Sequence, residues 1–174
     1  MLMIGQTVPA LVVEALMPSG EFQKLRLSDV FKQWTVLFFW PLDFTFVCPT
    51  EIRGYNKLAS EFEAAGATLL GASVDSVYTH RAWTENGLGK MAFPLIGDVN
   101  RRLSRTFGVL LEEEGVAARA TFIINPEGRV DSVTVNALNV GRSATETLRV
   151  LQAFQAGGLA PCEWQPGEPL IQVA

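Results

Sequence analysis

The chain has 174 residues, of which 48% are hydrophobic and 18% charged, and its net charge is −4. This length is typical of one domain, and the composition allows a buried core and excludes a disordered chain. The mild acidity gives no reason to expect nucleic acid or an anionic membrane as a partner. No apolar run approaches the roughly 20 residues of a transmembrane helix, and the first 17 residues contain neither Lys nor Arg. We therefore expect a cytoplasmic protein without a signal peptide.

Predicted strands and helices alternate along the chain, which indicates an α/β sandwich. Trp34–Trp40 is a continuous apolar run, as expected of a strand that is covered on both faces, and Thr68–Val74 is a second buried strand. Apolar residues at three- and four-residue spacing predict a helix over Cys48–Ala65, which ends at Gly66. Further helices are predicted at Val77–Glu85, Asn100–Phe107 and Ser143–Ala156, and further strands at Leu95–Ile96, Ala118–Ile124 and Arg129–Val135.

The character of the sequence changes after Gly157 and Gly158. The remaining residues are rich in glycine and proline and have no hydrophobic periodicity. We therefore predict one domain over residues 1–156 and a C-terminal arm over residues 157–174.

The chain contains two cysteines, Cys48 and Cys162. A cytoplasmic chain of this size needs no structural disulfide, so two unrelated buried thiols are one interpretation. Zinc is disfavoured, because a structural site needs four Cys or His ligands and the chain adds only His80 to the two cysteines. We interpret His80 as a packing or polar residue rather than a general base, and we predict neither a metal nor a cofactor.

The residues around Cys48 favour a nucleophile over an inert thiol. A buried strand ends at Trp40, Pro41 stops it, and Pro49 suits the first turn of the helix that follows. Cys48 is thus predicted at a helix N-terminus, where free backbone N–H groups and the helix dipole stabilise a thiolate. The thiolate is the form in which cysteine attacks a substrate.

Thr45 lies three residues before Cys48, so its hydroxyl can face the sulfur or an oxygen held beside it. The simpler interpretation of Thr45 alone is a hydroxyl that caps the turn. The combined pattern Pro-x-x-x-Thr-x-x-Cys-Pro after a strand is much more specific than any of its parts.

The segment PLDFTFVCPTEI, residues 41–52, resembles the active-site signature of the typical two-cysteine peroxiredoxins, the group that includes the catalytic subunit of bacterial alkyl hydroperoxide reductase. The resemblance extends over nearly the whole chain. Further matching segments are Ile4–Pro9, Thr79–Trp83, Met91–Asp98, Gly115–Ile124, the helix with Arg142, Glu146 and Arg149, and Pro161–Trp164. It implies a thioredoxin-like fold, with a mixed central sheet and helices on both faces.

The resemblance implies that Cys48 is the peroxidatic cysteine, that Pro41 shields it, and that Thr45 and Arg119 complete the pocket. An isolated arginine is usually a surface ion pair, but Arg119 begins an apolar strand, where a charge is unusual. A guanidinium there stabilises both a thiolate and the charge on a departing peroxide oxygen. Glu51 resembles the glutamate that orients the pocket arginines; the alternative is a first-turn acid favoured by the helix dipole.

The resemblance further implies that a sulfenic acid on Cys48 condenses with Cys162 of the partner subunit, and that an external dithiol reduces the disulfide. The expected function is a peroxidase for hydrogen peroxide and organic hydroperoxides, with a thioredoxin-like protein or a dedicated reductase as donor. The expected assembly is a homodimer, within a ring-shaped decamer. A redox sensor or chaperone that uses the same cysteine is the alternative, whereas the missing Cys-x-x-Cys motif argues against a thiol–disulfide oxidoreductase.

Overall fold

The computed structural model describes residues 1–173, so Ala174, the last residue of the predicted arm, lies outside the described residues. The strands are β1 Val12–Leu16, β2 Phe22–Arg26, β3 Trp34–Phe39, β4 Ala67–Ser73, β5 Leu95–Gly97, β6 Leu110–Leu111, β7 Val116–Ala117, β8 Arg119–Ile124 and β9 Val130–Asn136. Seven of them form one mixed sheet in the order β2-β1-β5-β4-β3-β8-β9, and β6 pairs with β7 separately. The helices are α1 Leu27–Val30, α2 Cys48–Lys57, α3 Ala59–Ala64, α4 Val77–Trp83, α5 Arg102–Phe107 and α6 Ala144–Gln155.

The central strand β3 has an apolar side chain on both faces because helices cover both faces. Val36 and Phe38 belong to a core cluster that includes residues of α2, α3, α4 and α6. Leu37 and Phe39 point into a second cluster with residues of α1 and α5. β3 runs parallel to β4 and antiparallel to β8. The expected mixed sheet with helices on both faces is therefore present, and the predicted strands at β3, β4, β5, β8 and β9 are confirmed to within two residues at each end.

The sequence analysis missed the hairpin of β1 and β2. β2 is an edge strand whose burial is incomplete at every position, so its sequence, FQKLR, carries little hydrophobic signal. The turn does have a recognisable signature, since the Gly20 N–H donates to the Met17 carbonyl across Pro18 and Ser19.

The long helix predicted over Cys48–Ala65 is two helices, which break at Leu58, where φ is −101° and ψ is 11°. The break gives the two helices independent orientations, and both bury aromatic side chains in the same core, Tyr55 from α2 and Phe62 from α3. The helix predicted to end at Glu85 also ends early, at Trp83, and an irregular turn follows over Thr84–Leu88.

α6 begins as predicted, because the Ser143 hydroxyl accepts a hydrogen bond from the Glu146 N–H. The Glu146 carboxylate does not complete a capping box but pairs with Arg149. Arg149 in turn donates to the carbonyl of Trp164, whose side chain is buried. The segment after α6 is thus attached to that helix, and Leu159 pairs with Ile171 within it. Over residues 1–173, no helix combines the length and apolar character that crossing a membrane requires.

Candidate active site

The turn between β3 and α2 places Cys48 at the first position of α2, at the carboxyl end of the central strand. Its side chain is fully buried, and Pro41, at the start of the turn, is buried as well. Pro49 follows in the first turn of the helix, as the sequence predicted. The residues between Phe44 and Val47 are exposed or half-buried, so the sulfur lies directly beneath the surface.

Arg119 reaches Cys48 because β8 is antiparallel to β3, which puts the start of β8 beside the end of β3. Its Nη1 donates to the Cys48 Sγ at 3.4 Å and to the Glu51 Oε2 at 2.6 Å. Its Nε donates to the Leu138 carbonyl at 2.7 Å, which fixes the plane of the guanidinium. Burial lowers the pKa of Arg119, but the hydrogen bond and charge of Cys48, with those of Glu51, outweigh it and raise the pKa above its ordinary value. Arg119 therefore remains charged at any physiological pH.

Glu51 connects two arginines. Its Oε1 accepts hydrogen bonds from the backbone N–H and the Nε of Arg142, both at 2.8 Å, while its Oε2 faces Arg119. Burial raises the pKa of the Glu51 carboxyl, but the hydrogen bonds and charge of Arg142, together with the charge of Arg119, outweigh burial and lower the pKa below its ordinary value. Glu51 is therefore ionised at neutral pH.

Sequence reasoning left Arg142 out of the candidate site, although the structure makes it a central member. Its guanidinium also donates to the Phe39 carbonyl at 2.7 Å, to the Ala120 carbonyl and to the Thr121 hydroxyl. Arg142 thus joins β3, β8 and α2 at the end of the sheet where Cys48 lies. The family resemblance included Arg142 but gave it no role, and a cation directly before the Ser143 cap carries no information about a partner 91 residues away.

The formal charges of this buried cluster explain what Cys48 can do there. The side chains of Arg119, Arg142 and Glu51 are 5%, 2% and 1% exposed, so water screens them little. Two guanidinium groups and one carboxylate leave one positive charge uncompensated. Burying an unpaired charge is costly, and a thiolate on Cys48, at hydrogen-bond distance from Arg119, neutralises it. The cluster therefore holds a fixed positive charge at hydrogen-bond distance from the Cys48 sulfur.

The other two predicted site residues, Thr45 and Cys162, make no contact with the cluster of Arg119, Glu51 and Arg142 among the hydrogen bonds described. The Thr45 hydroxyl donates to the Leu42 carbonyl at 2.9 Å, so it caps the turn and toward any further group can act only as an acceptor. Cys162 is exposed, and it forms no disulfide with Cys48 within the described chain.

A second buried polar group, formed by Asp43 and His80, stabilises the turn between β3 and α2 and is separate from the arginine cluster at Cys48. Asp43 accepts from the indole Nε1 of Trp40 at 2.8 Å and lies 2.7 Å from the Nδ1 of His80. Burial raises the pKa of Asp43, and its hydrogen bond with His80 opposes that shift. His80 is fully buried in α4, and its Nε2 contacts the Ile96 carbonyl. It is a packing and polar residue, as expected, and it takes no part in the Cys48 cluster.

Replacement of Glu51 by glutamine is expected to lower the free energy of unfolding at pH 7 by about 3 kcal/mol, because it removes the carboxylate that pairs with two buried guanidinium groups. The pKa of Glu51 is lower in the folded protein than in the unfolded chain. The carboxylate therefore contributes fully to the free energy of unfolding above the unfolded-state pKa of about 4.3, and this contribution is lost as the pH falls through the folded-state pKa. The gap between wild type and Glu51→Gln should therefore close below about pH 4. Urea unfolding between pH 3 and pH 7 measures it.

The exposed Glu112, which pairs with Arg105 on the surface, provides the matched control. We expect Glu112→Gln to leave the urea midpoint unchanged, because an exposed pair contributes little. A gap for Glu51→Gln that does not depend on pH would contradict the ionised, doubly paired Glu51.

Comparisons with known proteins identify the family of the chain. The model of the AhpC/TSA family matches residues 4–133. The YkuU protein of Bacillus subtilis (strain 168) is 51% identical, with 97% of this chain and 98% of that protein covered. Peroxiredoxin-1 of Gallus gallus is 45% identical over 97% of this chain and 89% of its own.

Two solved structures extend the likeness to the fold. The reduced 2-Cys peroxiredoxin of Plasmodium vivax superimposes with a TM-score of 0.91 at 36% identity, over 95% of this chain and 91% of that chain. AhpC of Mycobacterium tuberculosis gives a TM-score of 0.85 at 40% identity, over 95% and 99%. The fold is thioredoxin-like, as the resemblance of the sequence implied. With its buried thiol beside a fixed guanidinium, the chain belongs to the AhpC/TSA family and is a peroxiredoxin, a thiol-dependent peroxidase.

Proposed function

We propose that this peroxidase reduces hydrogen peroxide and organic hydroperoxides with the thiolate of Cys48 as the nucleophile. One observation carries the proposal: the Cys48 sulfur lies 3.4 Å from Arg119, in a buried cluster that has one excess positive charge. A nucleophilic thiolate and a donor for a developing oxyanion are the two groups that this chemistry requires.

In the reaction, the Cys48 sulfur attacks one peroxide oxygen, an S–O bond forms and the O–O bond breaks. The departing oxygen takes the bonding electron pair and a proton and leaves as water or an alcohol. Arg119, whose position Leu138 and Glu51 fix, stabilises the negative charge on that oxygen. We propose that the Thr45 hydroxyl, which donates to the Leu42 carbonyl and can still accept a hydrogen bond, orients the O–H of the incoming peroxide, and that Pro41 limits the access of water.

The sulfenic acid on Cys48 then condenses with Cys162 of the partner subunit, and the product is an intersubunit disulfide and one water molecule. Cys162 is suited to this step because it is exposed and lies in the segment after α6. An external protein dithiol reduces the disulfide by thiol–disulfide exchange. We place the protein in the cytoplasm, where such reductants keep thiols reduced.

We infer that two different surfaces of the chain serve assembly into dimers and a decameric ring. The outer edge of β9, from residue 131 onward, pairs with no other strand among residues 1–173, so a second copy can extend the sheet there. In the turn before Cys48, three apolar side chains are 40–94% exposed, namely Leu42, Phe44 and Phe46. Two distinct self-contacts of this kind join dimers into a closed ring.

Steady-state consumption of hydrogen peroxide and of an organic hydroperoxide, with several dithiol donors, tests the proposed function. We expect many equivalents of peroxide to be consumed per subunit with at least one donor. Consumption that stops after one equivalent with every donor would instead indicate a sensor.

Cys162→Ser tests the resolving step. We expect this variant to complete one oxidation of Cys48 and then to stop, because no second thiol is available for the sulfenic acid. On a non-reducing gel, oxidised wild type should run as a disulfide-linked dimer and Cys162→Ser as a monomer. A monomer band for oxidised wild type would contradict resolution between subunits.

A further inference from the structure

Tyr55 lies two turns after Cys48 on the buried face of α2. Its side chain is fully buried, and its ring stacks on the Phe38 ring with the ring centroids 4.1 Å apart. A phenylalanine ring would make the same stacking contact, because this contact needs no hydroxyl. A buried hydroxyl costs free energy unless it is hydrogen-bonded, so the partners of the Tyr55 hydroxyl indicate what it does.

The Tyr55 hydroxyl lies between two threonine hydroxyls. Its oxygen is 3.0 Å from the Oγ1 of Thr121 in β8 and 3.1 Å from the Oγ1 of Thr147 in α6. The Oγ1 of Thr121 also lies 3.1 Å from the Nη1 of Arg142, and the Oγ1 of Thr147 lies 3.0 Å from the Ser143 carbonyl oxygen. These four contacts form one continuous hydroxyl chain, which begins at the Arg142 side chain and ends at the next residue in sequence.

The donors and acceptors of the hydroxyl chain fix the direction of every hydroxyl. A carbonyl only accepts, so Thr147 donates to Ser143 and must accept from Tyr55. Because the Tyr55 hydroxyl gives its one hydrogen to Thr147, it accepts from Thr121. Thr121 offers its oxygen to the guanidinium of Arg142, which only donates. All four hydrogen bonds are thus satisfied together, and each hydroxyl that donates is a better acceptor for the group before it.

Arg142 is the residue at which the hydroxyl chain meets the site of Cys48. Its Nε and its backbone N–H bind one carboxylate oxygen of Glu51, whose other oxygen binds Arg119. Arg119 in turn donates to the Cys48 sulfur. The helix α2 therefore holds Arg142 in two ways, directly through Glu51 and indirectly through Tyr55.

We propose that Tyr55 is a positioning residue for the peroxidase reaction. Its hydroxyl fixes Thr121, which fixes the guanidinium of Arg142. Among residues 1–173, the Tyr55 hydroxyl makes no hydrogen bond to Cys48 or Arg119, so its effect on the reaction passes through Thr121. The proposal rests on the proposed function, in which Arg119 stabilises the departing oxygen, because a small displacement of a donor weakens that interaction.

Tyr55→Phe removes the hydroxyl and keeps the buried ring. We expect this variant to slow the oxidation of Cys48 by hydrogen peroxide about fivefold, the factor that corresponds to one neutral hydrogen bond. Quenched-flow mass spectrometry of Cys48, with no dithiol donor present, measures the rate. Tyr78→Phe is the matched control, because Tyr78 is the other tyrosine of the chain and is 68% exposed. The control should react at the wild-type rate, and equal rates in the two variants would overturn the role of Tyr55.

Two substitutions of Thr121 distinguish positioning from packing. Thr121→Val keeps the shape of the side chain and loses the hydroxyl, whereas Thr121→Ser keeps the hydroxyl and loses a methyl group. We expect Thr121→Val to oxidise about fivefold more slowly than wild type and Thr121→Ser to retain the wild-type rate, although both should unfold at lower urea concentration. A slower rate in Thr121→Ser than in Thr121→Val would show that the side chain acts by packing, and it would overturn the proposal.

The double variant tests whether Tyr55 acts through Thr121. If one hydroxyl chain connects them, Tyr55→Phe combined with Thr121→Val should be no slower than Thr121→Val alone, whereas independent effects would multiply to about 25-fold and overturn the chain. The proposed function fails separately: it would be overturned if peroxide did not oxidise Cys48 in the wild type. Equal rates in an active wild type and all of these variants would overturn only the role of Tyr55.

Discussion

Cys48→Ser is expected to abolish peroxide reduction, with a loss of about 10⁴-fold or more in the rate of peroxide consumption. The serine hydroxyl is smaller than the thiol but can still accept a hydrogen bond from Arg119, so the fold should persist. It cannot supply the nucleophile, however, because a hydroxyl remains protonated at neutral pH where a thiol in this cluster can ionise. Steady-state peroxide consumption with a dithiol donor measures the effect, and thermal unfolding verifies that the variant is folded.

Cys162→Ser separates loss of the nucleophile from loss of any thiol. Both variants lack steady turnover, but Cys162→Ser should still consume one equivalent of peroxide per subunit, whereas Cys48→Ser should consume none. If the two variants consumed the same first equivalent, Cys48 would not be the residue that peroxide oxidises.

Sequence reasoning identified the site residues whose roles follow from their neighbours in the chain. Cys48, Pro49 and Glu51 follow one another at a strand-to-helix transition, and the helix start alone indicates a stabilised thiolate. Arg119 was identified through the family resemblance, and its unusual place, a charge at the start of an apolar strand, agreed with that role. Arg142 has no comparable local signal, since its role arises from contacts with Glu51 and Phe39, which are 91 and 103 residues away.

For the fold as well, the sequence predicts the elements whose own side chains are buried and misses the features that depend on contacts with other elements. β3 and β4 have largely apolar sequences because both of their faces are buried, so their pattern alone predicts them. β2 is an exposed edge strand, and its stability comes from pairing with β1 rather than from burial of its own side chains. The break between α2 and α3 at Leu58 is also tertiary in origin, because the apolar spacing continues through it.

Arg119→Met is expected to slow the oxidation of Cys48 by about 10²–10³-fold, the usual cost of removing one donor that stabilises a developing oxyanion. Methionine fills much of the same buried volume but donates no hydrogen bond, so both the sulfur and the departing oxygen lose a partner. Arg142 and Glu51 would remain as a neutral pair, and the excess positive charge that favours the thiolate would disappear. Stopped-flow measurement of the first oxidation, with no donor present, isolates this step from resolution by Cys162.

Arg105→Met is the matched control, because Arg105 forms an exposed ion pair with Glu112 far from Cys48 in the fold. Arg105→Met should leave the oxidation rate unchanged, which would show that the loss of a positive charge elsewhere on the protein does not slow the oxidation of Cys48.

A comparison of Arg119→Met with hydrogen peroxide and with a bulky hydroperoxide distinguishes two roles of Arg119. A donor to the departing oxygen acts equally on both substrates, whereas a group that merely shapes the pocket would affect the bulky one more. An unchanged rate in Arg119→Met would remove Arg119 from the reaction and leave the thiolate dependent on the helix N-terminus alone.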